Sequence, residues 1–252
     1  YTYPDDFNPQ DRGTDINTIP KGTQMNQRGN AEEDKIIEAA ERNGVYIQLT
    51  AHGDPYWIWD ASINNAVPVG WTDAARLRYW QRNFRYRVAR WGYSTSILAW
   101  EHWNELVHIS LTSDYYKFYQ SYGQYQQQVD PYKHLRTTSQ GSQSWSPGFW
   151  SSSVVDLANY HDYMMISRYS ADLTYDAANF VYRFAQCLRT ATGGTCGLGL
   201  GDGSSWQGAP KPVIWGELDT GTTVWNQANP QPKATHDMRW AGLMSPIGTA
   251  PI

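Results

Sequence analysis

The sequence predicts an α/β fold with a parallel sheet and right-handed crossovers, either an open doubly wound sheet or a (β/α)8 TIM barrel, and three observations bear on it. Strand-like and helix-like runs alternate through about five units, with loops that lengthen after the strands. Chemistry-bearing side chains (His52, Glu105, Ser139, His161, Glu217) fall directly after strands, where a barrel gathers its active site. No Gly-rich phosphate fingerprint follows any strand, which tells against the nucleotide-binding, doubly wound alternative. At 252 residues the chain fits one domain of this type, spanning 1–252.

Residues 1–31 carry many Asp, Asn, Gly, Pro and Gln with little periodicity and read largely as loop. Glu32 to Asn43 reads as a helix, with Ile36, Ile37 and Ala40 on one face and Gly44 as its stop. Val45–Thr50 alternates as a strand and leads into Ala-His-Gly-Asp-Pro. Thr72–Asp73 offers a cap for a helix running to about Trp91, where Gly92-Tyr93-Ser94 breaks it. Ile97–Trp103 is the next strand, closing at Glu105. Asp114–Val129 suits a helix that Asp130-Pro131 ends. His134–Ser139 and Leu157–Met165 read as strands, Ala171–Thr190 as a helix and 193–209 as a Gly-rich loop. Val213–Glu217 is the last clear strand and His236–Met244 the last helix.

Net charge is −4, with no basic run, so the footprint of a nucleic-acid-binding protein is absent. No apolar run approaches the ~18 residues of a membrane span. Aromatic residues make up 15% of the chain, with 13 Trp and 18 Tyr. Such a surplus points to exposed flat faces, which pack against the C–H surfaces of sugars while their N–H and O–H groups reach hydroxyls. Cys187 and Cys196 flank a Thr-Gly-Gly turn; a short disulfide loop in an exported protein is one reading, two free thiols the other.

The most telling segments are Trp100-Glu-His-Trp-Asn-Glu105 and Lys211-Pro-Val-Ile-Trp-Gly-Glu217. Each closes an apolar, strand-like run with a glutamate where a loop begins. Two carboxylates delivered this way suit hydrolysis of a glycosidic bond: one protonates the leaving oxygen, the other attacks the sugar or activates water. Strand alternation places Glu101, Trp103 and Glu105 on one face and turns His102 toward the surrounding helices. Glu101 therefore needs a buried partner, for which an Arg or His is expected, and reads as structural.

Four segments then resemble the retaining clan A glycoside hydrolases, the cellulase and β-mannanase superfamily of (β/α)8 barrels. Val88–Glu105 resembles the fourth-strand region, where Asn-Glu carries the acid/base. Asp130–Ser139 resembles the fifth-strand region, His161-Asp-Tyr163 the end of strand six, and Pro212–Glu217 the strand-seven nucleophile segment. The order is that of the family, over about 130 residues. Counting outward from Glu105, Val45–Thr50 becomes the third barrel strand. Strands one and two are then missing or irregular, and strand eight is cut short near Ile252. The resemblance thus implies an incomplete barrel, with further segments or a partner to complete it.

It also assigns roles. Glu105 is the general acid and then base, and Glu217 the nucleophile. Asn104 hydrogen-bonds the sugar 2-hydroxyl, while His161 and Tyr163 share a face beside Glu217, Tyr163 holding it in place. His52 and Trp57 lie at or beside the point of cleavage. Trp145, Trp150, Trp206 and Trp225, in post-strand loops, are candidate stacking platforms. No cofactor or metal is required. The implied substrate is a β-glucan or mannan type of polysaccharide, cleaved internally by a secreted enzyme.

Other chemistries fit poorly. Ser139-Gln-Gly-Ser-Gln is not a nucleophile elbow, and six scattered histidines lack zinc-protease spacing. The alternative is a non-catalytic carbohydrate-binding or structural module derived from such a barrel.

Overall fold

A computed structural model describes residues 27–51, 74–102, 104, 113–140, 152–161, 195–196, 206–207, 211–217 and 240. The chain divides into two compact units, Tyr1–Asn104 with His108–Thr137, and Glu105–Val107 with Thr138–Ile252.

The first unit runs α1 (Gln27–Asn43), β1 (Ile47–Thr50), α2 (Ala74–Trp91), β2 (Ile97–Glu101), α3 (Ser113–Val129) and β3 (Leu135–Thr137). The three strands form a parallel sheet in the order β1-β2-β3, so each α-helical crossover leads to the adjacent strand. Chain order and spatial order coincide, as they do around a barrel, and no reversal of strand order occurs within the sheet.

Local chemistry explains most of the boundaries. Gly44 takes a left-handed φ of 64° and closes α1. The amide of Val45 reaches the carbonyl of Ala40 at 2.9 Å and that of Gly44 the carbonyl of Glu41 at 3.3 Å, the paired bonds of a Schellman stop. Helix α1 begins at Gln27, so 27–31 are helical rather than loop. Its first turn has no apolar stripe to announce it. It is held instead by polar contacts to α2: Asn30 Nδ2 donates to the Tyr86 hydroxyl at 3.1 Å, and Arg90 Nη1 donates to Gln27 Oε1 at 3.2 Å. Asn30, Glu33, Ile37 and Ala40 are buried, a 3-4-3 spacing, while Ile36 is exposed, contrary to the expected face.

The core of this unit is aromatic. Phe84 of α2 meets Trp100 of β2 edge-to-face at 5.4 Å and Tyr122 of α3 at 5.8 Å, joining two helices to the central strand. Trp100 Nε1 donates to Asp130 Oδ2 at 3.2 Å. Asp130 also accepts from the amides of Tyr132 and His134, each at 3.0 Å, and from His134 Nδ1 at 2.9 Å. One carboxylate thus organises the turn between α3 and β3, in which Lys133 adopts a φ of 58°.

The second unit holds β4 (Ser139–Gln140), β5 (Ala158–His161) and β8 (Val213–Glu217) as a parallel sheet in that order. The strand expected over His134–Ser139 is interrupted at Thr138, so β3 and β4 pair in different sheets. Within the tract read as a Gly-rich loop, β6 (Thr195–Cys196) and β7 (Trp206–Gln207) pair antiparallel. Lys211 Nζ donates to the carbonyls of Ser152 and Val155, and the Ala158 amide to that of Pro212 at 2.9 Å, fastening the turn before β5 to the start of β8. The helix expected over 171–190 lies outside the described residues; of the last one, Trp240 is described, as helical.

Candidate active site

At the C-terminal end of the first unit's sheet, Thr50, Glu101 and Thr137 lie side by side in register. Glu101 is buried, and its Oε2 accepts a 2.6 Å hydrogen bond from the Thr50 hydroxyl. The donor is a threonine one strand away, whose short side chain reaches because register neighbours stand about 5 Å apart. The carbonyl of Glu101 accepts from the Ala51 amide at 2.7 Å, which extends the ladder one residue past β1.

His102 points to the helices, as alternation predicts. Its Nδ1 lies 2.8 Å from the Tyr119 hydroxyl and its Nε2 is bonded to Gln126 Oε1, both on α3. Its own amide donates to the carbonyl of Thr137 at 2.8 Å. Asn104 follows two residues later and is buried at 3% exposure. Glu105 lies outside the described residues.

In the second unit, β5 and β8 end together. Ala158, Asn159 and Tyr160 pair with Val213, Ile214 and Trp215, and after a one-residue shift His161 pairs with Glu217. The two C-terminal residues of these strands, both expected at the site, are therefore backbone neighbours. Asn159 is fully buried and lies against Gly216. Ser139, on β4, is buried as well. Trp206 sits in β7 opposite Cys196, on a short strand rather than in an open loop. Tyr163, His52, Trp57, Trp145, Trp150 and Trp225 lie outside the described residues, as does Cys187.

At the opposite end of β3, in the turn that leads into it, two groups carry shifted protonation. His134 is held above its ordinary value by its hydrogen bond to Asp130, which outweighs burial. For Asp130, burial works upward, but hydrogen bonding to His134, that side chain's charge and two backbone amides win and hold the carboxyl below its usual range. Sequence reasoning passed over this pair, and also Thr50 and Asn159. The spacing Asp130-x-x-x-His134 is visible, but no local pattern says that Asp130 is buried and His134 half-buried beside Trp100. Among the described residues, no cluster of three or more His, Cys, Asp or Glu forms a metal site. No described helix is long and apolar enough to cross a membrane.

No protein-family model matches the chain, and no curated protein matches it by sequence. Solved structures do. A GH5_18 variant from Streptomyces cattleya in complex with Manb1-4GlcNAc aligns over 92% of this chain and 58% of its own, with a TM-score of 0.64 and 14% identity. A second, from Bifidobacterium longum subsp. longum with the same ligand, aligns over 87% and 53%, with a TM-score of 0.61 and 13% identity. A candidate glycoside hydrolase from Bacteroides vulgatus aligns over 92% and 36%, with a TM-score of 0.55 and 15% identity. The chain thus shares the fold of TIM-barrel glycoside hydrolases and spans 36–58% of the length of these three.

Proposed function

We propose that this chain carries the catalytic apparatus of a retaining β-glycoside hydrolase acting on a β-glucan or mannan type of polysaccharide. The observation that carries the reading is the pairing of His161 with Glu217 at the common C-terminal end of β5 and β8. That is the sheet end where a parallel α/β fold assembles its chemistry. The likeness to glycoside hydrolases supports the reaction class, and the ligand of two of them makes β-mannosides the first substrates to offer.

In this reading Glu105 donates a proton to the glycosidic oxygen while a Glu217 oxygen attacks the anomeric carbon. The C–O bond to the leaving sugar breaks and a glycosyl ester forms on Glu217. Water, deprotonated by Glu105, then attacks the same carbon, releasing the sugar with its configuration retained and returning Glu217 to carboxylate. This requires the two carboxyls about 5–5.5 Å apart. Asn104 takes the 2-hydroxyl, a contact that strengthens as the oxocarbenium character develops. Tyr163 and His161 hold Glu217, and His52, Trp57, Trp145 and Trp206 contact flanking sugars. Action on a polymer places the enzyme outside the cell.

The test is hydrolysis of β-mannan, β-glucan and aryl β-glycosides by the chain and by its Glu217→Gln form. The reading expects turnover that Glu217→Gln abolishes while glycan binding persists. Glycan binding without turnover in the parent chain would make it a carbohydrate-binding module instead.

A further inference from the structure

We infer that His102 is a positioning residue, whose ring is clasped by Tyr119 and Gln126 of α3 and so fixes the backbone that delivers Asn104. The inference rests on the proposed role of Asn104.

His102 directly follows the last residue of β2, where the regular ladder stops constraining the chain. It is fully buried, and both ring nitrogens are engaged. The Tyr119 hydroxyl can donate or accept, so it complements the nitrogen that faces it in either tautomer of the ring. The ring also stands edge-on to Tyr122 at 5.1 Å and 89°, and tilted against Tyr119 at 5.1 Å. Together these contacts fix the ring's position and its rotation.

The backbone at this point is held from both neighbouring strands as well. Its amide is bonded to Thr137, and the preceding Glu101 is tied to Thr50 and Ala51. Burial alone would be served by a leucine, with no polar groups to satisfy. A buried polar cluster with directional bonds instead selects one geometry. From His102 to Asn104 the chain can span only about 7 Å. Little slack separates the clasp from the Asn104 side chain, so a displaced His102 displaces it.

The experiment uses the full 252-residue chain. Tyr119→Phe, which removes one oxygen and keeps the ring, is compared with Gln126→Leu, His102→Leu and His102→Gln. For each, kcat, KM, the pH profile of kcat/KM and amide exchange over 100–105 and 36–43 are measured. The clasp predicts a kcat loss of about 10–100-fold in Tyr119→Phe and His102→Leu, with KM within about threefold, since small misplacements act on the reacting geometry. His102→Gln, whose amide reaches toward Gln126, recovers part of the loss. Exchange rises at 100–105 and not at 36–43. Folded variants with parental kcat and parental exchange overturn the inference. So does a uniform rise of exchange in both segments with kcat per folded molecule unchanged. If the parent chain hydrolyses no glycoside, the proposed function fails and exchange alone decides: a rise confined to 100–105 sustains the clasp, and no rise refutes it.

Discussion

The side chain of Asn159 occupies the space that a Cβ on Gly216 would need. A Cβ built there would lie 2.9 Å from Asn159 Cγ and 3.0 Å from Nδ2, with Oδ1 closer still. Asn159 is fully buried on β5 and has little room to withdraw. The glycine before Glu217 is therefore required by packing against the neighbouring strand.

Gly216→Ala is expected to destabilise the protein by about 1–3 kcal/mol through overpacking. It should also lower activity in the fraction that remains folded, because β8 must shift away from β5 at the residue next to Glu217. Denaturant midpoints and kcat on the same preparation check both effects. Unchanged stability would mean that Asn159 moves aside freely.

A second expectation concerns Thr50. Thr50→Val keeps the shape and removes the donor to Glu101 Oε2. Leaving a buried carboxylate one bond short costs about 1–3 kcal/mol. Thr50→Ser retains the hydroxyl and should restore most of it. Chemical unfolding of the three proteins at one pH distinguishes them.

The Asp130–His134 pair sets a pH window for stability. His134 is raised by its bond to Asp130, so its contribution is complete below its ordinary value near 6.5 and fades as pH climbs through its higher folded value. Asp130 is lowered, so its contribution is complete above its ordinary value near 4 and fades as pH falls through its lower folded value. Both are fully present between about pH 4 and 6.5. Relative to His134→Gln, the parent protein should lose thermal stability as pH is raised above about 6.5 and through the higher folded value of His134. A difference that stays flat over that range would refute the ion pair.

What the sequence disclosed was mostly local. Gly44 stops α1 because only a residue at ease with positive φ closes a Schellman turn, and that signal sits in one position. The end of β8 at Glu217 was readable because an apolar run gives way to a carboxylate there, whereas β2 stops at Glu101, two residues short of the end expected at Trp103. What escaped depends on partners distant in the chain. The first turn of α1 is held by Tyr86 and Arg90, 56 to 63 residues away. The β6–β7 pair is two residues deep and exists only through its partner. In the site, alternation turned His102 outward correctly, yet nothing local named Tyr119 and Gln126 as its partners. Glu101 was seen to need a partner, but nothing local named Thr50, 51 residues earlier and brought adjacent by parallel register.

The central claim is that Glu217 forms a covalent bond to the sugar. The most direct measurement is inactivation by 2-deoxy-2-fluoro β-mannosides and β-glucosides with good leaving groups, followed by peptide mass mapping. A fluorosugar ester on Glu217, absent in Glu217→Gln, is the predicted result. A label on a different carboxylate, or turnover that inverts configuration with no label formed, would contradict the account.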